Sequence, residues 1–239
     1  MKAVRASGNR NKLREIKEIW GEQVDIILMS ELGIEGEPEE NGADFMDNAL
    51  IKARYVRERT SLPVIADDSG LIVDALGGGP GVHSARFLGE DTPYSVKNAE
   101  IIKRLSEKQG VYRSARFVCS AVCLAETGEV IGRTGVLNGC IGYKPSGENG
   151  FGYDPIFFID PFDAETACKL CGMSPPEAER MISGLAGNNT ETGALGADLK
   201  GYVSTAQLPP DVKNAVSHRG RAFRLLLRDI LAGQEAEKP

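Results

Sequence analysis

Apolar residues recur at helical spacing in several stretches of the chain, separated by short apolar runs and glycine-rich turns. In "NRNKLREIKEIW", Leu13, Ile16, Ile19 and Trp20 share one face with charges between them, which predicts an amphipathic helix. The second half of "GEPEENGADFMDNALIKARYVRER" repeats the pattern with Phe45, Ala49, Ala53 and Val56, behind an acidic loop that holds Pro38 and Gly42. "TPYSVKNAEIIKRLSEKQG" reads as a third helix. "SPPEAERMISGLAG" opens with a capping-box pattern, Ser174 to Glu177, has Pro175 at its first helical position, and buries Ala178, Met181, Ile182 and Leu185. A last helix follows "SHRGR" and carries Phe223, Leu226, Leu227 and Ile230. Strands are predicted at "KAVRAS", at residues 63–66, in the apolar run after "GENGFGYD", and as a long hairpin over 113–143 that turns at "ETGE".

No repeat and no linker divides these elements, so residues 1–239 are expected to form a single domain. Residues from about 161 to 202 differ in texture and read as an insertion of one short helix plus loops. The stretch 188–201 is expected to be flexible and the tail 234–239 disordered. The composition, 41% hydrophobic and 26% charged over 239 residues, suffices for a substantial core. A net charge of −6 gives no basic field for nucleic acid or an anionic membrane. The N-terminal segment turns polar by Ser7, and no apolar run approaches the roughly 20 residues that span a bilayer, so a cytoplasmic protein is expected. Five cysteines do not make a disulfide framework. "CKLC" has no second CxxC to complete a zinc site, so reduced thiols are expected.

Candidate chemistry begins where the strand at 63–66 runs into Asp67, Asp68 and Ser69. Adjacent acids at the end of a buried strand repel and lose hydration, so they need a cation or strong donors. A tight turn is the simpler alternative. Ser7, Gly8, Asn9, Arg10, Asn11 and Lys12 form a small-residue turn into a helix N-terminus, where unpaired N–H groups and two cations suit a phosphate. Asn48 and Lys52, four apart, project from one helix face, equally compatible with a solvated surface. Together these patches supply a metal-assisted attack on a phosphoanhydride. Glu39, Glu40, Asp67 and Asp68 offer hard oxygen ligands for Mg2+, while Lys12, Lys52, Lys213 and Arg219 offer cations for phosphate oxygens. One carboxylate with a free oxygen would orient and deprotonate a water. Phe151 beside Asp154 would stack on a base and bind a ribose or base edge.

With these segments in hand, the chain resembles the inosine/xanthosine triphosphate pyrophosphatase family, which hydrolyses deaminated purine nucleoside triphosphates. The matching stretches are "SGNRNKLREI", "EENGADFMDNALIKA", "IADDSGLIVDALGGGPGVHSARF", "GFGYDPIFF" and "VKNAVSHRGRA", in the family's order. The resemblance implies an α/β fold, a mixed twisted sheet in an elongated two-lobed body with the active-site cleft between lobes. It also implies a homodimer that uses Mg2+ to convert a purine nucleoside triphosphate and water into the monophosphate and pyrophosphate. Asp68 matches the general base. Glu40, with Glu39 and Asp67, matches the metal-binding acids. Ser7 to Lys12 matches the triphosphate-binding turn, Lys52 a phosphate-facing lysine, and Ser69 a substrate-contacting serine. Phe151, Gly152, Tyr153 and Asp154 match the segment that stacks on the purine, Lys213 a substrate-contacting lysine, and His218 with Arg219 the pair that reads the 6-oxo edge.

The chain departs from the family pattern at several places. Ser7 stands where threonine is usual, Asn11 where glycine is usual, and His83 where tyrosine is usual. Val203 and Gln207 replace a lysine and a glutamate, and the insertion has no counterpart. Two other readings keep the fold: action on other modified nucleotides, and a nucleotide sensor without turnover.

Overall fold

The computed structural model describes residues 1–108, 110–186, 199 and 201–236. Seven strands form one mixed sheet in the order β2-β1-β3-β4-β5-β6-β7. They are β1 (Lys2–Arg5), β2 (Asp25–Leu28), β3 (Val64–Val73), β4 (Ser114–Leu124), β5 (Val130–Ile141), β6 (Phe157–Ile159) and β7 (Val203–Ser204). β1 pairs parallel with both β2 and β3, while β6 pairs antiparallel with β5 and β7. Parallel neighbours need a crossover, supplied by α1 (Arg10–Trp20) between β1 and β2 and by α2 (Phe45–Arg57) between β2 and β3. β4 and β5 join through the predicted turn, where the Ala125 N–H donates to the Glu129 carbonyl at 2.9 Å. The remaining helices are α3 (Tyr94–Ser106), α4 (Pro161–Leu170), α5 (Pro175–Ala186), α6 (Pro210–Val216) and α7 (His218–Ala236).

The chain divides into two compact units rather than the undivided body expected from the sequence. The first holds Met1–Ser69, Val118–Val136 and Ser217–Pro239, and the second Gly70–Phe117 and Leu137–Val216. In the first unit one cluster gathers Ile16 and Trp20 of α1 with Phe223, Leu226 and Ile230 of α7, and another gathers Ala49, Ala53 and Val56 of α2 with Val64 and Ala66. Trp20 fixes α1 to α7: its Nε1–H donates to the Phe223 carbonyl at 2.8 Å, and the two rings meet edge to face at 5.4 Å. α7 starts hard against β5. A Cβ at Gly135 would lie 2.1 Å from the His218 carbonyl oxygen, so only glycine admits this approach.

The second unit packs Leu71, Ile101, Leu137, Phe157 and Val212 into its own core. Its insertion differs from the expectation by one element: α4 precedes the predicted α5. The side chains that α4 buries, Ala164, Ala167 and Cys168, are small, and its large apolar residues Phe162 and Leu170 are exposed, so the sequence carries little helical stripe. Asp160 caps it by accepting from the Phe162 N–H at 2.8 Å. The capping box ahead of α5 forms as predicted, with Ser174 N–H donating to Glu177 Oε2 at 2.9 Å. Apart from Leu199 and Gly201, the stretch 188–201 lies outside the described residues, as do 237–239 of the tail. α7 itself runs on to Ala236. All five cysteines are free thiols. No helix among the described residues is long and apolar enough to cross a membrane.

Candidate active site

β3 does not stop at Ala66. It continues to Val73 through Asp67, Asp68 and Ser69, although both acids are buried. The cost of burying them is met by donors from three other elements, so the extended backbone persists where a turn was the simpler expectation.

Asp67 lies in a nest of cations. Its Oδ1 accepts from Arg5 Nη2 at 2.5 Å, and its Oδ2 accepts from Lys12 Nζ at 3.0 Å and from Ser69 Oγ at 2.9 Å. Arg219 Nε stands 3.8 Å from the same Oδ2. Burial alone would raise this carboxyl, but Lys12, Arg5, Arg219 and Lys52 hold it well below the usual carboxylate range. Cys119, on β4, is pushed up to about 12 by burial and by Asp67, so it is a neutral thiol and no nucleophile.

Asp68 has different partners. Oδ1 accepts from Lys52 Nζ at 2.8 Å and Oδ2 from Asn48 Nδ2 at 3.3 Å. Lys52 also donates to Glu40 Oε1 at 3.2 Å, so one ammonium holds two carboxylates. Burial lowers this lysine less than Asp68, Asp67 and Glu40 raise it, so it stays charged. Asn48 and Lys52 therefore face buried acids rather than solvent. Asn48 additionally accepts the Gly42 N–H on Oδ1 at 2.8 Å, which ties the acidic loop to the same place. Glu39 is exposed, and the structure does not bring it to Asp68.

The turn before α1 is built from its own side chains. Ser7 Oγ accepts the Asn9 N–H at 3.2 Å, and Asn9 caps the helix by accepting the Lys12 N–H at 3.0 Å. No acid stands in the first turn to offset the positive helix end, and Arg10 and Asn11 are exposed there. Lys12 is lowered, chiefly by burial, with Asp67 opposing and Arg219 and Lys52 adding to the effect. A Cβ at Gly8 would meet no heavy atom within 4 Å, and its φ is not left-handed, so neither packing nor backbone conformation requires glycine at this position.

Arg219, on the first turn of α7, forms a short ion pair with Glu15 of α1 and donates from Nη2 to Ser69 Oγ at 3.4 Å. His218 beside it is buried. Ser217 Oγ accepts the Gly220 N–H at 2.9 Å and so fixes this helix start.

The second unit holds a separate constellation. Asp154 Oδ2 accepts from the Phe151 N–H at 2.8 Å and from Lys213 Nζ at 2.7 Å, and its Oδ1 accepts from Thr205 Oγ1 at 2.9 Å. Lys213 Nζ stands 5.0 Å from the Phe151 ring centroid. Gly150, at φ +77°, leaves room for the Asp154 carboxylate, which a Cβ there would approach to 2.3 Å. Tyr153 packs edge to face on Tyr94 and donates its hydroxyl to the Ser84 carbonyl at 2.8 Å, while Asn98 Nδ2 donates to the Gly152 carbonyl at 3.1 Å. The described contacts thus join Lys12, Lys52, Asp67, Asp68, Ser69, Glu40 and Arg219 in one unit, and Phe151, Asp154 and Lys213 in the other.

Four residues of these networks escaped the sequence reading as functional positions: Arg5, Glu15, Asn48 and Thr205. Arg5 carried one signal, a charge at an otherwise apolar strand position. Asn48 carried its spacing to Lys52. Glu15 and Thr205 carried none.

Among the described residues, no three acid, histidine or cysteine side chains converge into a metal cage. A magnesium ion does not require one, since one or two carboxylates with substrate phosphates and water complete its octahedron. Glu40 and Asp68, two hard oxygen donors drawn together on one ammonium, fit that pattern. Both oxygens of Asp67 are already engaged by cations and Ser69.

The family model of the Ham1 family matches residues 3–183. The chain is 38% identical over 231 residues to a dITP/XTP pyrophosphatase of Treponema denticola, covering 96% of this chain and 98% of that protein. It is 37% identical over 235 residues to a dITP/XTP pyrophosphatase of Shigella flexneri, covering 97% and 99%. Among solved structures, a HAM1 protein from Coxiella burnetii matches with a TM-score of 0.73 and 31% identity, covering 97% of this chain and 99% of that one. With a family model over most of its length and relatives matched almost from end to end, as its five segments implied, the chain belongs to the Ham1 family.

Proposed function

We propose that this chain is a Mg2+-dependent pyrophosphatase that hydrolyses deaminated purine nucleoside triphosphates (inosine, deoxyinosine and xanthosine triphosphates) to the monophosphate and pyrophosphate. The observation that carries the reading is Lys52 held between Glu40 and Asp68, in the unit where Lys12 at the start of α1 faces Asp67. The names of the Treponema and Shigella relatives support the same substrates.

Glu40 and Asp68 are the residues that would hold Mg2+, which supplies charge neutralisation at the phosphates. The turn from Ser7 to Lys12 binds phosphate oxygens through its N–H groups and cations. Asp68 orients a water and takes its proton as the α–β anhydride is cleaved, and Asn48 and Lys52 fix the carboxylate for that task. In the second unit, Phe151 offers a ring face to the base, and Asp154, locked by Lys213 and Thr205, accepts from a sugar or base edge. His218 and Arg219 supply donors to a 6-oxo group. Adenine's amino group would leave such a donor unpaired, at about 1–3 kcal/mol. The working form is a cytoplasmic homodimer, which light scattering of the purified chain tests for subunit number.

The decisive experiment measures pyrophosphate release with Mg2+ from inosine, xanthosine, adenosine and guanosine triphosphates, beside Asp68→Asn. Rapid release from the first two alone, abolished by the substitution, is expected. Release of orthophosphate would mean a different bond is cut. Tight binding of inosine triphosphate without turnover would make the chain a sensor.

A further inference from the structure

Arg5 stands out among the buried residues. It is fully buried in β1, in register with Ile65 of β3, where an aliphatic side chain is the ordinary occupant. Its guanidinium makes one hydrogen bond, from Nη2 to Asp67 Oδ1. Nε and Nη1 are buried and find no partner among the described residues. Burying a cation with two of its nitrogens unmatched is costly, and folding alone gives no return for it.

Nor does Asp67 need Arg5 to be neutralised. Lys12 and Ser69 already donate to Oδ2, and Arg219 stands 3.8 Å away. The charges make the consequence plain. Arg219 is matched by Glu15, and if Arg5 matches Asp67, then Lys12 is the cation left over at the start of α1. With an apolar residue at position 5, Asp67 and Lys12 would form a closed pair, and the ammonium would leave it only at the cost of an uncompensated buried carboxylate.

We propose that Arg5 is a positioning residue for polyphosphate binding: by taking up the charge of Asp67 from inside the sheet, it leaves Lys12 able to turn to an incoming triphosphate. The inference rests on the functional reading above and names a residue of that same site. Arg5 touches no substrate. It acts through Asp67 on Lys12, two residues upstream of the Ser7 turn.

The test is titration calorimetry of the full chain with inorganic tripolyphosphate, together with steady-state kinetics on inosine triphosphate and a thermal melt, for wild type, Arg5→Met and Arg5→Lys. Arg5→Met is expected to bind tripolyphosphate about tenfold more weakly, the effect of one charge interaction in a partly shielded site. Its KM should rise by a similar factor, with kcat within about threefold and a melting temperature no lower than wild type. Arg5→Lys, which keeps the charge, should recover most of the affinity. Equal tripolyphosphate affinity in wild type and Arg5→Met overturns the role of Arg5 alone. So does an Arg5→Met chain that does not fold, or one whose affinity falls only in step with its stability and is not restored by lysine. Failure of the wild-type chain itself to bind tripolyphosphate overturns the functional reading, and this inference with it.

Discussion

Lys52 Nζ lies 2.8 Å from Asp68 Oδ1, a contact between residues sixteen apart that joins the middle of α2 to the middle of β3. The helix presents the ammonium and the strand presents the acid, so neither side chain is free to choose another partner. Asp68 is then a carboxylate of fixed orientation, which is what a general base requires. Asp68→Asn should lower kcat for pyrophosphate release by about 10²–10⁴-fold, the usual contribution of a positioned proton acceptor, with KM little changed. A kcat within tenfold of wild type, in a chain that melts cooperatively, would remove Asp68 from that role.

Gly8 makes a sharper case, because nothing in the protein asks for glycine. A Cβ there meets open space, whereas one at Gly147 would lie 2.4 Å from the Ala206 backbone. Replacing an unstrained glycine by alanine restricts the unfolded chain and stabilises by about 0.4–1 kcal/mol. Gly8→Ala should therefore melt no earlier than wild type. If phosphates approach this turn, its methyl group should nonetheless raise KM for inosine triphosphate by about tenfold, a loss of ~1.4 kcal/mol in binding. A KM within twofold would mean that the substrate keeps its distance from the turn.

The elements with large apolar stripes were legible in the sequence. Phe45, Ala49, Ala53 and Val56 mark the buried face of α2 because a helix repeats every 3.6 residues whatever its surroundings. α4 was not legible, because alanines and a cysteine bury it. β3 was misjudged at Asp67 for another reason: whether two acids end a strand depends on what stands opposite, and Arg5, Lys12 and Lys52 come from 62, 55 and 16 residues away. The same long-range dependence hid Glu15, 204 residues from Arg219, and Thr205, 51 residues from Asp154. Local pattern announces which side chains turn inward, and only the assembled sheet decides which charges meet.

Phe151 separates base binding from phosphate binding. Its backbone N–H, not its ring, fixes Asp154, so Phe151→Ala preserves that hydrogen bond. Base stacking on an aromatic ring contributes about 1–3 kcal/mol. Phe151→Ala should raise KM for inosine and xanthosine triphosphates by roughly 5- to 150-fold and leave tripolyphosphate affinity unchanged. Equal losses for the nucleotide and for tripolyphosphate would show that the ring supports the fold of this turn instead of contacting a base.

Asp67 sets how the chain responds to acid. Burial opposes its ionisation, yet Lys12, Arg5, Arg219 and Lys52 hold its folded-state pKa well below the ordinary value. An unfolded aspartate titrates near about 3.9. Above that pH the stabilisation from these cations is fully present. As pH falls through it, the unfolded chain takes up a proton that the folded chain refuses, and stability declines until the folded carboxyl also protonates. Asp67→Asn leaves three cations facing a neutral amide and should cost about 3–5 kcal/mol at pH 7. The gap between the two chains, measured as urea midpoints from pH 7 down to pH 3, should stay constant to about pH 4 and then narrow. A gap that holds its width down to pH 3 would mean that the shape of Asp67, not its charge, is what the cations recognise.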